Sequence, residues 1–409
     1  MSKKPHILFA LIALMTAALA CANPLGGLAP AQPNVETVVA ATFQALTASA
    51  PVPPTPTLTL EPTSLLPHSM YFLNNDSTGF IQVYRLDKDG KSVTQLTFEP
   101  TNVDSYDVSL LNGSVVYVSN NQMFLVDSSG AGRRKLLDGG SRDENNPFLS
   151  NISNPAWSPD GQTIAYGYKG LNFYSLAASQ SNRVLDNKVR DDGNGLIFPE
   201  ELYFPAHYSS DGNKLLVTLG YYEGASSAIY YPNGNALVRL SGAESTMICC
   251  GEPSWSPDNT SLYSGSPTMG MFSSGLWKID AATGEVTTLL AGDPGSGSYN
   301  FANEPYLAPD SQLYFFFANL PATDEFVTRP PLQLVRSAPD GVTGRTVLND
   351  STYGDMNEAL WAPDASFVIV ADAPIQAVTQ GGIAELVYTD RQKGVISLLP
   401  FALDMKWGP

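Results

Sequence analysis

One short motif recurs along the chain and constrains its fold more than any other feature. Pro155-Ala-Trp-Ser-Pro-Asp-Gly161 is followed by an apolar run, Ile164-Ala-Tyr166. Variants return as Tyr208-Ser-Ser-Asp-Gly212, Pro253-Ser-Trp-Ser-Pro-Asp258, Pro305-Tyr-Leu-Ala-Pro-Asp310 and Leu360-Trp-Ala-Pro-Asp364. Self-similarity at such a period signals an array of one small unit, stacked or closed on itself. Aligning on the Trp gives anchors at Val108, Trp157, Tyr208, Trp255, Leu307, Trp361 and Trp407, at intervals of 49, 51, 47, 52, 54 and 46 residues. Each unit reads as an anchor strand, a turn and three further short strands. Four strands in roughly 40–50 residues is the arithmetic of a β-propeller blade.

The motif's chemistry is structural. Asp-Gly supplies the backbone of a tight turn and Pro ends the preceding strand. The Trp or Tyr fills the interface between neighbouring blades, which makes Trp157, Tyr208, Trp255, Trp361 and Trp407 blade anchors. The repeated aspartates are therefore read as turn residues rather than a catalytic or metal series.

The two ends of the chain predict how the ring closes. Residues 68–97 hold three strand candidates (Ser69 to Leu73, Ile81 to Leu86, Val93 to Thr97) with no anchor strand before them. Leu403-Asp-Met-Lys-Trp-Gly-Pro409 is an anchor strand with nothing after it. One blade shared between the termini removes the exposed edges and gives seven blades in all. The predicted fold class is all-β: a seven-bladed β-propeller over residues 67–409, closed by N- and C-terminal strands.

Here the residues resemble a family. Trp157-Ser-Pro-Asp-Gly161 with Ile164-Ala-Tyr166 is similar to the WD40-like repeats of TolB-type propellers, also found in the propellers of tricorn and prolyl oligopeptidases. The resemblance covers about residues 68–409 and implies fold, since such repeats serve many functions. It further implies protein partners at the cell envelope, although the second domain of TolB is missing from this sequence.

Residues 1–20 read as a secretory signal, with Lys3-Lys4 followed by an apolar run, Ile7 to Leu14, too short to span a bilayer. Ala18-Leu19-Ala20-Cys21 resembles a bacterial lipobox, with Ala18 where Leu is usual. That resemblance implies cleavage before Cys21, acylation of its thiol and a lipid anchor outside the cytoplasm. Residues 21–66 are the tether. Pro51-Val-Pro-Pro-Thr-Pro-Thr57 favours extended polyproline conformations. Val35, Val38, Val39, Phe43 and Leu46 have the spacing of a short amphipathic helix, with an irregular arm as the alternative.

Charge excludes one class of partner. The formal net charge is −17, and without the signal the chain carries 20 basic against 39 acidic residues, or −19. Such a surface repels phosphate backbones, so no nucleic acid is expected.

The long loops between blades are the expected place for function. Asp191, Asp192 and Glu200, with Phe198, Tyr203, Tyr221, Tyr222 and Tyr299, form an acidic, aromatic ligand-binding face suited to a protein, peptide or carbohydrate. The alternative is rings packed between loops with solvated acids. Asp191, Asp192, Asn194 and Glu200 offer oxygen ligands for calcium but lack a full EF-hand pattern; no metal or cofactor is expected. The adjacent Cys249 and Cys250 are either a vicinal disulfide or two buried thiols.

No G-x-S-x-G elbow or hydrolase domain accompanies the repeats. Past the signal only His68 and His207 remain, and His207, beside Tyr208, is read as a packed core residue. The expected function is a non-catalytic scaffold binding protein or ligand. The alternatives are a cation-assisted polysaccharide lyase or hydrolase at the channel mouth, and a carbohydrate-binding module. The lyase alternative requires three or more carboxylate or amide oxygens converging there.

Overall fold

A computed structural model describes residues 64–143, 145–242, 252–268, 273–292, 295, 297–321, 329–373 and 380–409. Cys21, the signal and nearly all of the tether, and the Cys249-Cys250 pair, lie outside the described residues.

The strands follow the repeat. Val103–Val108, Val115–Ser119, Gln122–Val126 and Arg134–Asp138 make one four-stranded antiparallel sheet in chain order. Ser153–Trp157, Thr163–Gly167, Gly170–Ser175 and Gln180–Asp186 make the next. Ile197–Tyr208, Leu215–Tyr221, Gly224–Tyr231 and Ala236–Arg239 make the third, with Lys188–Asp191 added along the start of its first strand. Ser254–Trp255, Ser261–Ser266, Gly275–Asp280 and Val286–Ala291 form the fourth. Ser298–Leu307, Leu313–Pro321, Leu332–Ser337 and Thr346–Tyr353 form the fifth.

The last sheet joins the two ends of the chain. Met356–Trp361, Phe367–Asp372 and Gly382–Tyr388 lead to the 13-residue strand Val395–Trp407. Its first part pairs with Gly382–Tyr388. Its second part pairs with Met70–Asn75, placing Trp407 opposite Met70, Lys406 opposite Tyr71 and Leu403 opposite Leu73. Ile81–Leu86 and Val93–Gln95 then complete that half. The expected exchange of strands between the termini is thus observed, with the last residues supplying the anchor strand that the first ones lack.

Each anchor strand opens the four strands of its repeat; the anchor strands pack side by side, round to the last against Val103–Val108, and Ile197–Tyr208 meets Ser254–Trp255 through the His207 and Trp255 rings, 6.5 Å apart. Between sheets lies the core. Phe301, Tyr314, Phe316, Trp361, Val368 and Val370 belong to one buried cluster that spans two sheets. Trp361 stacks on Tyr306 of the preceding sheet at 5.8 Å and 11°, and its indole N–H donates to Glu304 O at 2.9 Å. Trp407 repeats the arrangement, donating to Trp361 O at 2.7 Å. At Trp361 and Trp407 the anchor ring therefore contributes both apolar area and a tie to the backbone of the preceding anchor strand.

The repeated aspartates do what the spacing predicts. Asp160, Asp211, Asp258, Asp310 and Asp364 each accept the backbone N–H two residues on, at 2.9–3.1 Å. The residue after each has a left-handed backbone: Gly161 and Gly212 at φ 65° and 71°, and Asn259, Ser311 and Ala365 at 57°, 63° and 56°. Glycine adopts that conformation without strain, while Ser and Ala do so at a cost.

Candidate functional site

The anchor strands are irregular at one place. Register shifts fall just before the anchor, between Val103 and Ser105, Ser153 and Ala156, Pro205 and Tyr208, Asn303 and Tyr306, and Met356 and Glu358. Asn154, Glu304 and Asp404 have left-handed backbones there, with φ near 50°, 47° and 51°. A bulge bends its strand and re-aims the side chains beside it. Beside these bulges Ala206, Glu304, Asn357, Glu358 and Asp404 line one cavity of about 690 Å³ between the anchor strands.

The lining is acidic. Glu252, Glu304, Glu358 and Asp404 each stand three residues before an anchor. Asp107, His207 and Lys406 each stand one residue before an anchor. Trp157, Trp255 and Trp407 add apolar surface, and Leu110, Pro159 and Ser210, in the turns that follow their anchors, complete one side of the lining. Among the described residues, five carboxylates thus share one cavity with one lysine and one imidazole.

Lys406 is the electrostatic centre. Its ammonium donates to Tyr106 O at 2.7 Å and lies 3.6 Å from Asp107 and 3.7 Å from Asp404. Burial works against its charge, but Asp404, Asp107 and Glu252 outweigh that and raise its pKa. Burial also pushes Asp107 and Asp404 upward. For Asp107, Lys406 and the Trp157 N–H, at 2.6 Å, oppose the rise. For Asp404, Lys406 opposes it while Glu252 and Asp107 add to it. One shared cation does not offset the enclosure of two anions.

Glu304 and Glu358 lie beyond its reach. Burial, then the charge of Glu252, pushes Glu304 up to about 8. Burial, then Asp404, pushes Glu358 up to about 8, with Glu304 adding a further increment. Glu358 Oε2 accepts the Met405 N–H at 3.4 Å, while Oε1 is shut off from solvent with no hydrogen-bond partner among the described residues. His207 lines the same space, 3.9 Å from Glu252 and 3.0 Å from Pro253 O. This corrects the expectation that it is a packed core residue.

The loop residues singled out from the sequence do not converge on this cavity. Asp191 and Asp192 accept the N–H groups of Gly193 and Asn194 at 2.8 Å and shape their own hairpin. Exposed Glu200 faces Arg190 at 3.7 Å. Phe198 meets the Tyr222 ring edge-on at 4.9 Å, with Arg190 over its face. Tyr203 is buried, not displayed: its hydroxyl donates to Glu201, which also binds Arg239 through both oxygens and Lys188 at 2.7 Å. Tyr221 and Tyr299 are partly buried against core clusters. Among the described residues, no three His, Cys, Asp or Glu side chains come close enough to hold one metal ion.

The carboxylates of the cavity had a signal that a reading of the motif alone passes over. Counting three residues back from successive anchors gives Ser105, Asn154, Pro205, Glu252, Glu304, Glu358 and Asp404. The last four are all acidic. At Glu304, Glu358 and Asp404 that position coincides with a break in the strand register.

The closed circuit of sheets and the shared terminal strand decide the fold. The chain is a β-propeller. No protein-family model and no curated protein sequence matches it. Among solved structures it is similar to a prolyl endopeptidase at 12% identity, with 92% of this chain and 56% of that one covered and a TM-score of 0.52. It is also similar to TolB from Acinetobacter baumannii at 16% identity, covering 80% and 79% of the two chains with a TM-score of 0.40. An oligogalacturonate lyase in complex with manganese matches at 12% identity over 81% and 84%, with a TM-score of 0.49. At these identities the likeness concerns the propeller fold and leaves function to the site.

Proposed function

We propose that the protein is a non-catalytic binding scaffold, a seven-bladed propeller held outside the cytoplasm by a lipid on Cys21. Its ligand-binding site is the central channel rather than the inter-blade loops. The observation that supports this reading is the lining: among the described residues, five carboxylates share one open cavity with a single lysine, which engages two of them. Such a field attracts a cationic group and repels anions. A volume of about 690 Å³ suits a few side chains of a basic protein segment, with the tryptophans supplying area and the carboxylates orientation.

Trp157, Trp255 and Trp407 report directly on the channel. Titration with a blocked tri-arginine peptide at pH 8.5 should change tryptophan fluorescence saturably. A blocked tri-glutamate peptide should leave it unchanged, and rising salt should weaken the arginine response. Equal responses to the two peptides, or none, would remove the channel as the binding site.

A second reading has one observation in its favour. Glu304 and Glu358, pushed up to about 8 beside other carboxylates, have the character of general acids. An acidic channel nevertheless opposes entry of a polyuronate, and the cation-assisted version lacks a converging ligand set among the described residues. Turnover of a neutral glycan, abolished by Glu358→Gln, would favour this reading over the scaffold.

A further inference from the structure

We infer that the channel exchanges protons for its ligand: Glu304 and Glu358 are carboxylic acids in the empty channel and carboxylates when a guanidinium is bound. The inference rests on the reading of the channel as a site for a cationic segment, and it adds the ligand's chemistry and the regulation of its binding.

The geometry requires compensation of charge at these two groups. Glu304 sits in the anchor strand Ser298–Leu307 and Glu358 in Met356–Trp361, neighbouring strands facing one axis. The groups around them are mostly of like sign: Glu252 before Ser254–Trp255, Asp404 from the closing strand and Asp107 from Val103–Val108. The basic groups among the described lining residues are Lys406, engaged by Asp404 and Asp107, and His207, next to Glu252. Neither Glu304 nor Glu358 has an ion-pair partner among the described residues. An ionised Glu358 would leave Oε1 buried with no hydrogen-bond partner among the described residues, a costly arrangement.

A proton is the smallest cation that solves this problem, and it explains why the empty channel can stay folded. Both side chains are pushed up to about 8, in accord with the packing. When a guanidinium enters, each carboxyl O–H releases its proton to solvent and the carboxylate forms the charge-assisted hydrogen bonds that guanidinium favours. Arginine suits this exchange better than lysine, because its planar fork of N–H donors can pair with both carboxylates at once, where an ammonium is a point charge.

The linkage gives numbers. A group titrating near 8 that must ionise on binding raises affinity about tenfold between pH 7 and pH 9, so two such groups give about 100-fold. The two acids interact, so the proton count belongs to the pair.

Calorimetric titration with the blocked tri-arginine peptide in two buffers of different ionisation enthalpy reads that count directly. A His207→Gln background removes the imidazole from it. The expected result is release of about two protons at pH 7, nearly none at pH 9.5, and the rise in affinity between them. Glu304→Gln and Glu358→Gln should each lower the release at pH 7 to about one, and the double variant should abolish it. Thermal unfolding verifies that the variants are folded. Binding without proton release, or release that persists in the double variant, would overturn the inference alone. No binding at any pH from 6 to 9.5 would overturn the channel reading and the inference with it.

Discussion

Two sets of acidic residues recur in this propeller, a few positions apart in the same repeat, and the protein treats them in opposite ways. The turn aspartates stand three residues after an anchor and the channel carboxylates three or one before it. Asp211 and Asp258 are held down to about 2. For Asp211, burial opposes that but the Ser209 hydroxyl and Asn213 outweigh it. For Asp258, the Ser256 hydroxyl and the Thr260 N–H do the holding. Glu304 and Glu358 are pushed up to about 8 by enclosure and like charge. A carboxylate that accepts local hydrogen bonds in open solvent organises a turn. One that faces its equivalents across a channel stores an unmet demand for positive charge. Location relative to the bulge, and not residue type, separates structure from candidate function.

Lys406 is the sharpest point at which to break this contrast. Lys406→Met leaves Asp107 and Asp404 without their cation, and the loss of one partner of an enclosed pair costs about 3 kcal/mol. The cost should be largest near pH 8 and smaller near pH 5, where the carboxyls can protonate instead. Denaturant midpoints at the two pH values check this. Equal costs would mean that the lysine acts by packing alone.

The channel glutamates predict a pH profile of definite sign. Their folded pKa values lie above the ordinary 4.5, so the stability they contribute is complete below that value and is lost as pH rises through about 8. Wild-type protein should therefore weaken between pH 5 and pH 9. Glu304→Gln with Glu358→Gln should remove much of that slope and be more stable at pH 9 by about 2 kcal/mol, a value reduced for the solvent the channel admits. An unchanged slope would place the titrating groups elsewhere. The turn aspartates act in the other direction: their contribution is present above the ordinary pKa of 3.8 and is lost as pH falls toward 2.

The turn set offers the smallest test. Exposed Ser311 holds the left-handed position that Gly161 and Gly212 fill in their own copies of the motif. Ser311→Gly should stabilise by about 0.5 kcal/mol, since relief of strain exceeds the added freedom of the unfolded chain. Thermal unfolding measures it. Destabilisation would show that the serine makes a contact worth more than the strain it bears.

Much of the architecture was legible because propeller geometry is written locally. Trp, Pro, Asp and Gly at fixed offsets fix a strand end, a turn and an interface, and each effect acts within a few residues. The incomplete first unit and the unaccompanied Trp407 revealed the closure, which pairs residues more than 300 positions apart. The site was harder to read. Inter-blade loops rich in Asp and Tyr drew attention by composition, yet Tyr203 is consumed by the Glu201 cluster, and Asp191 and Asp192 by their own hairpin. Glu252, Glu304, Glu358 and Asp404 look unremarkable one by one in the sequence.

By itself, then, the sequence determined the repeat, the turn chemistry, the anchors and the closing strand, all of which follow from short-range sterics and pattern. The tertiary structure alone decided which carboxylates face one another. That depends on a bulge turning the anchor strands and on a ring bringing distant copies to one axis, where enclosure and like charge convert ordinary acids into a shared demand for a cation.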